Sequence, residues 1–187
     1  MPAVWGWAGM KPFNPLLILD LDETLLFSTE EDPGCGVVFR AGPYFTRLRP
    51  YLSDFLNTVS AAYDLAIWSS SSGDYAKAMA EIVFAGLYAP VFVWGRDRCS
   101  QSYDMVRGEM VFKKRVRKAT IAGYSLQRIL IVDDSPEKVA DNYGNAIYVT
   151  EWTGAPDDTE LLRLGPYLLS IRDTPDFRRI EKRFWRA

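Results

Sequence analysis

Two aspartates two positions apart are the first residues of this sequence that suggest chemistry. Asp20 and Asp22 follow an apolar run in the stretch LILDLDETLL, residues 17–26. If the chain stays extended there, both carboxylates point to the same side, roughly 6 to 7 Å apart. A second pair, Asp133 and Asp134, follows the apolar run ILIV. Because acids are rarely buried without a partner, acids directly after apolar runs favour a site over a solvated loop.

Four carboxylates in one place need a positive partner. Two unit charges about 4 Å apart repel by about 4 kcal/mol at an effective dielectric constant of about 20. The cluster therefore requires a cation or protonation. Oxygen ligands without histidine or thiolate favour Mg²⁺ over Zn²⁺, and we expect Mg²⁺ here. Its candidate ligands are Asp20, Asp22, Asp133 and Asp134.

Paired carboxylates beside a metal ion suggest attack on phosphorus. One acid can form an aspartyl phosphate, which divides a difficult hydrolysis into two easier displacements. Its neighbour can protonate the departing oxygen and then deprotonate the incoming water. The metal ion shields the attacking carboxylate from the phosphoryl oxygens. A lysine near the end of the third crossover would supply one more positive charge.

The absence of histidine excludes several other chemistries. Without it, the usual zinc sites and every Ser-His or Cys-His nucleophile are ruled out. A thiol-based phosphatase needs an arginine six positions after its cysteine, but Cys35 and Cys99 have Ala41 and Met105 there. We expect both cysteines to be reduced structural thiols.

Length, composition and charge favour one soluble domain over residues 1–187. With 187 residues and 48% apolar types, the chain can fill one core. Its net charge of -2 is spread along the sequence and makes nucleic acid or a membrane an unfavoured partner. The apolar runs are shorter than the roughly 18 residues that span a bilayer, and the start does not resemble a signal peptide. We expect a cytoplasmic protein, with the nucleus as a second location in a eukaryote, and leave the oligomeric state open.

Short apolar runs that do not alternate with polar residues predict a parallel sheet covered on both faces. The predicted strands are 16–20, 65–69, 91–94, 129–133 and 146–149. The predicted helices are 51–62, 74–85, 113–122 and 159–170. This alternation indicates an α/β fold with a doubly wound, Rossmann-like parallel sheet. We also expect a closing helix after Thr174.

Two stretches fall outside that alternation. Residues 28–50 predict a small flap built on a hairpin around Ala41, Gly42 and Pro43. Residues 95–112 predict a loop or ribbon. Ligands of open parallel sheets collect beyond the carboxyl ends of the strands, where Ser69 ends the second predicted strand.

Four motifs in order resemble those of the haloacid-dehalogenase-like phosphatases. They are DLDET, the serine that closes LAIWS, a lysine in FKKRVRK, and LIVDDSPEK. More narrowly, LDLDETLLFS, LRPYLSDFL, IWSSSSGDYA and ILIVDDSPEKVADNYGNAI resemble the branch of the RNA polymerase II C-terminal-domain phosphatases and the NLI-interacting-factor-like phosphatases. The resemblance covers roughly residues 14–180.

The resemblance implies roles for individual residues. Asp20 would be the nucleophile and Asp22 the general acid and base. Ser69 would hydrogen-bond the phosphoryl oxygens, and Thr24 would brace the loop around them. The active-site lysine is best assigned to Lys114.

The lysine and the metal ligands leave alternatives open. Lys113 and Lys118 are close enough to replace Lys114. Mg²⁺ would be held by the Asp20 side chain, the Asp22 backbone carbonyl and Asp134. Asp133 would ligate directly or orient the site through water.

Two departures from the family pattern concern oxygen ligands. Much of the branch has Asp-Asn where this chain has Asp133 and Asp134, and more often threonine where it has Ser69. Both replacements keep the required oxygen. The additional carboxylate could alter the affinity for metal.

The spacing of the motifs leaves no room for a large cap domain, so we expect an open site. An open site favours phosphoserine or phosphothreonine on a protein or peptide, which the flap could grip. Its aromatic residues Phe39, Tyr44 and Phe45 could equally pack the flap onto the core. The alternatives are a phosphatase of small molecules or nucleic acid, or a binding module that has lost catalysis. Carbon-halogen hydrolysis is disfavoured because it has no use for the proton donor Asp22.

Overall fold

The computed structural model describes residues 14–31, 39–41, 43–105 and 108–187. Its strands are β1 (Leu16–Leu19), β2 (Leu26–Thr29), β3 (Phe39–Ala41), β4 (Tyr44–Leu48), β5 (Asp64–Trp68), β6 (Val93–Trp94), β7 (Ser100–Asp104), β8 (Glu109–Lys113), β9 (Ile129–Asp133) and β10 (Ala146–Tyr148). Its helices are α1 (Leu52–Ser60), α2 (Gly73–Phe84), α3 (Pro136–Val139) and α4 (Glu160–Ile171). Short 3₁₀ helices cover Arg96–Arg98, Val116–Ala122, Leu126–Arg128, Ala140–Asn142 and Phe177–Arg179.

The predicted α/β fold is confirmed. Five strands form a parallel sheet in the order β10-β9-β1-β5-β6. These are the five predicted strands, although the third is shorter than predicted and begins at Val93. The register sets Leu19 of β1 opposite Ile67 of β5 and Val132 of β9. The residues that follow these three strands therefore meet at one edge.

Both faces of the sheet are buried, as the uninterrupted apolar runs predicted. Leu17 and Leu19 belong to a core formed with α1, α2 and α4. Leu16 and Ile18 point the other way and pack with residues that include Val116. Each fully buried leucine stabilises the fold by about 1.5 to 3 kcal/mol relative to exposure.

The predicted flap is an antiparallel sheet of three strands in the order β2-β4-β3. Ser28 lies opposite Thr46 in this sheet, and their hydroxyls are 2.9 Å apart. The predicted β3–β4 hairpin is present, although Gly42 lies outside the described residues. Residues 32–38, which include Cys35, also lie outside them. The second irregular stretch is a ribbon, because β7 pairs antiparallel with β8.

Two predicted helices are wrong in type or extent. Residues 113–122 do not form one helix: Lys113 ends β8, and only Val116–Ala122 is helical, as a 3₁₀ helix. The cause is Asn142, whose amide donates to the Lys114 carbonyl while its oxygen accepts from the Val116 N–H. This pairing holds the backbone of Lys114 in a non-helical conformation.

The predicted closing helix after Thr174 is a single short 3₁₀ turn, Phe177–Arg179. The Lys182 ammonium donates to the carbonyls of Phe177 and Ile180. Buried Phe177 and Trp185 anchor the tail to the core. Side-chain bonds to backbone carbonyls here replace the regular helical ladder.

The backbones of Gly73 and Gly95 approach each other closely at the edge of the sheet near β5. A Cβ on Gly95 would lie 2.6 Å from the Cα of Gly73, so only glycine permits this approach. The Arg96 N–H then donates to the Ser71 carbonyl at 2.7 Å. The serine loop that follows β5 is thereby held against the end of β6.

A buried arginine ties three loops together behind the same edge. The Arg49 side chain is fully buried and forms a two-bond fork with Asp158, at 2.9 and 2.8 Å. It also donates to the carbonyls of Thr24 and Thr150. Arg49 therefore fixes the loop after β1 by its backbone.

Replacing Asp158 tests this clamp. Asp158→Asn should lower the free energy of unfolding by about 2 kcal/mol near neutral pH, because Arg49 remains buried without a full negative partner. Urea denaturation would measure the loss. Asp173→Asn is the control, since its contact with Arg172 is exposed and should matter little.

The effect of Asp158→Asn on the free energy of unfolding should depend on pH. Burial by itself raises the pKa of Asp158, but hydrogen bonds from Arg49 and the Glu160 N–H outweigh it and hold the pKa below 3.8. A carboxyl group whose pKa is lowered by folding stabilises the fold when the pH is above its ordinary pKa. This stabilisation is lost as the pH falls through the lowered pKa. The difference between parent and Asp158→Asn should therefore be full near neutral pH and shrink below 3.8. A constant difference would contradict this account.

Candidate active site

The predicted site residues meet at the carboxyl edge of the parallel sheet. Asp20 follows β1, Ser69 follows β5, and Asp133 ends β9. All three are buried. The Asp20 N–H donates to the Val132 carbonyl at 3.0 Å, which continues the sheet register into the site. The prediction that these polar strand ends share one edge is confirmed.

A buried lysine lies between two of the aspartates. The Lys114 ammonium is 2.7 Å from Asp20 Oδ1 and 2.7 Å from Asp133 Oδ2. Burial by itself lowers the pKa of Lys114, but the charges of Asp133 and Asp20 outweigh it and raise the pKa above its ordinary value. Lys114 therefore stays charged, and its ion pairs offset the cost of burying the two acids.

The structure distinguishes among the three candidate lysines. Lys113 lies 3.6 Å from Asp141 and is partly exposed. The exposed Lys118 donates to the Arg98 carbonyl. Of these three, Lys114 alone reaches the acids of the site.

The remaining acid of the second pair is braced from two sides. Thr24 donates its hydroxyl to Asp134 Oδ1 at 2.9 Å, and Ser135 donates to Asp134 Oδ2 at 2.8 Å. The Ser135 N–H donates to Asp133 Oδ1 at 2.9 Å. Thr24 thus connects the loop after β1 with the end of β9, in line with its predicted bracing role.

The donor set fits a hard divalent cation. One carboxylate oxygen from each of Asp20, Asp133 and Asp134 lies within 4.8 Å of the others. Asp20 Oδ2 is buried and has no hydrogen-bond partner among the described residues. Burial, together with the charge of Asp133, raises the pKa of Asp20 to about 7, against the opposing charge of Lys114. A cation beside Asp20 would favour its carboxylate form.

Asp22 does not share this cluster and instead faces hydroxyl groups. The Tyr75 hydroxyl donates to Asp22 Oδ1 at 2.5 Å. Ser71 and Ser69 donate to Asp22 Oδ2 at 3.0 and 3.3 Å. Ser69 also accepts from the Ser71 N–H at 2.9 Å. The structure therefore brings Ser69 to Asp22 and separates the carboxylate of Asp22 from the other three acids.

An open cleft of about 480 Å³ lies between this edge and the flap. Asp22 lines it, together with Tyr44 and Tyr75, whose rings meet edge to face at 6.1 Å. The charged side chains of Arg96 and Lys138 also line it. The cleft gives access to Asp22 from solvent.

The three flap aromatics have different surroundings. Tyr44 lines the cleft. Phe45 carries the Arg40 guanidinium 4.3 Å above its ring. Phe39 lines a separate apolar groove with Leu48. Tyr44 is therefore the one of the three placed to touch a ligand in this cleft.

Several residues of the site were not predicted. They are Ser71, Tyr75, Arg96, Lys138 and Glu23. Ser71 belongs to the serine-rich stretch after β5, and Tyr75 lies in the first turn of α2, where its N–H donates to the N-cap Ser72. Ser72 as an N-cap signals the start of α2, but no local signal indicates that the Tyr75 hydroxyl reaches Asp22. Glu23 has a left-handed backbone with φ of 59°, and burial beside Asp22 raises its pKa to about 7.

Comparison with known proteins agrees with this geometry. The NLI interacting factor-like phosphatase family matches residues 15–178. The chain belongs to this family. Membership confirms the resemblance inferred from the motifs and, at the level of enzyme class, the prediction of a phosphomonoester hydrolase.

Two relatives of this chain have names that refer to the nuclear envelope. Nuclear envelope morphology protein 1 of Saccharomyces cerevisiae is 31% identical over 180 residues, covering 88% of this chain and 40% of that protein. The CTD nuclear envelope phosphatase 1 homolog of Drosophila melanogaster is 31% identical over 182 residues, which cover 89% of this chain and 71% of that protein. The chain thus spans less than half of the yeast relative, and its own location stays a prediction.

Solved structures confirm the fold. Fcp1, described as an essential RNA polymerase II CTD phosphatase, has a TM-score of 0.56 at 19% identity, covering 90% of this chain and 59% of that one. A fission yeast Fcp1 variant bound to beryllium fluoride has a TM-score of 0.55 at 20% identity, and the match covers 89% of this chain and 53% of that one. Within the described ranges, no helix has the length and apolar character to cross a bilayer.

The lysine assignment can be tested by stability. Lys114→Met should lower the free energy of unfolding by about 3 kcal/mol, because two buried carboxylates lose their cation. Denaturation without metal would measure the loss, and Mg²⁺ should recover part of it. Lys113→Met and Lys118→Met are matched controls and should stay close to the parent. A larger loss in either control would show that the wrong lysine was assigned.

Proposed function

We propose that this chain is a Mg²⁺-dependent phosphatase that hydrolyses phosphomonoesters through a phosphorylated Asp20. The observation that carries the proposal is the state of the Asp20 carboxylate. One oxygen is paired with Lys114, while the other is buried and has no partner among the described residues. A buried acceptor without a partner is costly, so a reacting atom or ion is the natural occupant beside it.

The chemistry follows from the positions of Asp20 and Asp22. Asp20 attacks phosphorus, and the bond between phosphorus and the leaving oxygen breaks. Asp22 gives its proton to that leaving oxygen. Asp22 then takes a proton from a water molecule as its oxygen attacks phosphorus. The bond between phosphorus and Asp20 breaks, inorganic phosphate leaves, and the Asp20 carboxylate is restored. The hydroxyls of Tyr75, Ser71 and Ser69 hold Asp22 in the wall of the cleft.

The other residues hold charge in place. Lys114 fixes Asp20 and balances the negative charge of the phosphoryl group. Mg²⁺ would be held by Asp20, Asp134, Asp133 and the Asp22 backbone carbonyl, and would supply positive charge that lowers repulsion between carboxylate and phosphate. Ser69 would turn its hydroxyl from Asp22 to a phosphoryl oxygen when substrate binds. Thr24 keeps Asp134 in position.

We further propose that residues 1–187 act as one phosphatase domain whose substrate is phosphoserine or phosphothreonine in a protein. Support comes from the open cleft beside the flap and from relatives that are named CTD phosphatases. A peptide laid between Tyr44 and the serine loop would present its phosphate to Asp20. An extended peptide can bind such a groove without a closing cap.

Asp20→Asn tests the nucleophile. The parent should hydrolyse p-nitrophenyl phosphate with Mg²⁺, and Asp20→Asn should lose at least about 1,000-fold in kcat, because a carboxamide does not form the phosphoenzyme. Asp97→Asn is the control, since Asp97 is exposed and lies outside the site. Beryllium fluoride with Mg²⁺ should raise the unfolding temperature of the parent and not that of Asp20→Asn. No hydrolysis by the parent, with phosphopeptide binding retained, would support a binding module instead.

A substrate survey tests the second half of the proposal. The kcat/KM for phosphoserine and phosphothreonine peptides should exceed that for sugar phosphates by about 100-fold or more, because contacts remote from phosphorus add to transition-state binding. Initial rates of phosphate release at saturating Mg²⁺ would give the ranking. The opposite ranking would indicate a phosphatase of small metabolites.

A further inference from the structure

Lys138 is a positive group in the cleft that the proposed mechanism does not use. It lies in α3, is half-buried, and lines the cleft that also exposes Asp22 and Arg96. Among the described residues, no carboxylate lies within 4.0 Å of its ammonium and no acceptor takes a hydrogen bond from it. Because no described residue pairs with it, this ammonium is available to a ligand in the cleft.

The backbone around Lys138 fixes it next to the reacting groups. Its carbonyl accepts from the Lys114 N–H at 2.7 Å, and its own N–H donates to the Ser135 carbonyl at 3.1 Å. Burial and the nearby charge of Lys114 oppose its charge, but Asp20, Asp133 and Asp134 outweigh them and raise the pKa of Lys138 above the ordinary value. Lys138 is therefore a charged group held beside the site.

The two lysines have different surroundings. Lys114 is fully buried and paired with Asp20 and Asp133, so it serves the reacting phosphate. Lys138 lies in the cleft wall, where the parts of a substrate next to the phosphate must pass. Glu23 lines the same wall and interacts electrostatically with Lys138, but no ion pair within 4.0 Å joins these two described residues. A cation in this position matches a second anion on the substrate.

We propose that Lys138 binds an anionic side chain close to the phosphorylated residue, so that the enzyme prefers phosphopeptides with an acidic or second phosphorylated residue beside the reacting one. This inference rests on the proposed function. A carboxylate and a phosphate share the charge and the oxygen acceptors that an ammonium recognises. Both sources are therefore tested.

The test compares peptides that differ only next to one phosphoserine. One peptide has alanine at the two positions on either side, a set carries aspartate at one of them, and another set carries a second phosphoserine. The parent should favour an acidic neighbour, and Lys138→Gln should reduce that preference in kcat/KM by about fivefold, as expected for a partly exposed ion pair. Lys138→Arg should keep it.

Lys77→Gln is the charge-matched control. Lys77 is exposed on α2 and does not line the cleft, so its loss should leave the preference unchanged. If Lys138→Gln and Lys77→Gln lose the preference for acidic neighbours to the same extent, the preference depends only on the net charge of the protein, and the proposal is overturned. A parent without preference for any acidic neighbour would also overturn it.

Two further outcomes would assign Lys138 another role and overturn the proposal. If Lys138→Gln lowers kcat/KM equally for every peptide and for p-nitrophenyl phosphate, the lysine acts on the transferred phosphoryl group. If calorimetry shows altered Mg²⁺ affinity while the preference stays constant, it acts on the metal site.

Peptide binding separates this inference from the proposed function. Fluorescence anisotropy with Asp20→Asn should show tighter binding of acid-flanked than alanine-flanked phosphopeptides, and Lys138→Gln in that background should remove the difference. A parent without hydrolytic activity would refute the proposed function while this binding comparison still decides the role of Lys138.

Discussion

The burial of one ammonium between two carboxylates is the interaction on which the rest of the site depends. Lys114 is fully buried with Asp20 and Asp133 at 2.7 Å. Such a group is stable only if both partners are held in place, because removing either leaves a buried charge. The sheet holds the partners through the register of β1 with β9. Asn142 holds the lysine by binding its carbonyl and the N–H of Val116, two residues later.

Buried charge also connects the irregular segments around the sheet. Arg49 binds Thr24 in the loop after β1, Thr150 after β10, and Asp158 two residues before α4. Thr24 in turn donates to Asp134. The site is thus supported from behind by a second set of polar contacts. Loops carry the functional groups, and fixed hydrogen bonds give them the precision that regular structure would otherwise provide.

The sequence predicted what depends on local pattern. Apolar runs predicted the five strands, and the ends of these strands predicted Asp20, Ser69 and Asp133 at one edge. The helix predicted over 113–122 was wrong because a tertiary contact from Asn142 overrides its local pattern. Tyr75 was missed because its hydroxyl reaches Asp22 across 53 positions in the chain. A hydrogen bond of that sequence separation leaves no mark on periodicity.

The second acidic pair and Lys138 are best understood together. Asp134 adds a third negative charge beside Asp20 and Asp133. Asp134 is neutralised only in part, since hydroxyls of Thr24 and Ser135 donate to it and neither is charged. Four positions later, Lys138 contributes a positive charge that Asp20, Asp133 and Asp134 all favour. The three acids therefore surround the end of α3 with negative charge, and the Lys138 ammonium is the positive group that carries this charge balance into the cleft wall.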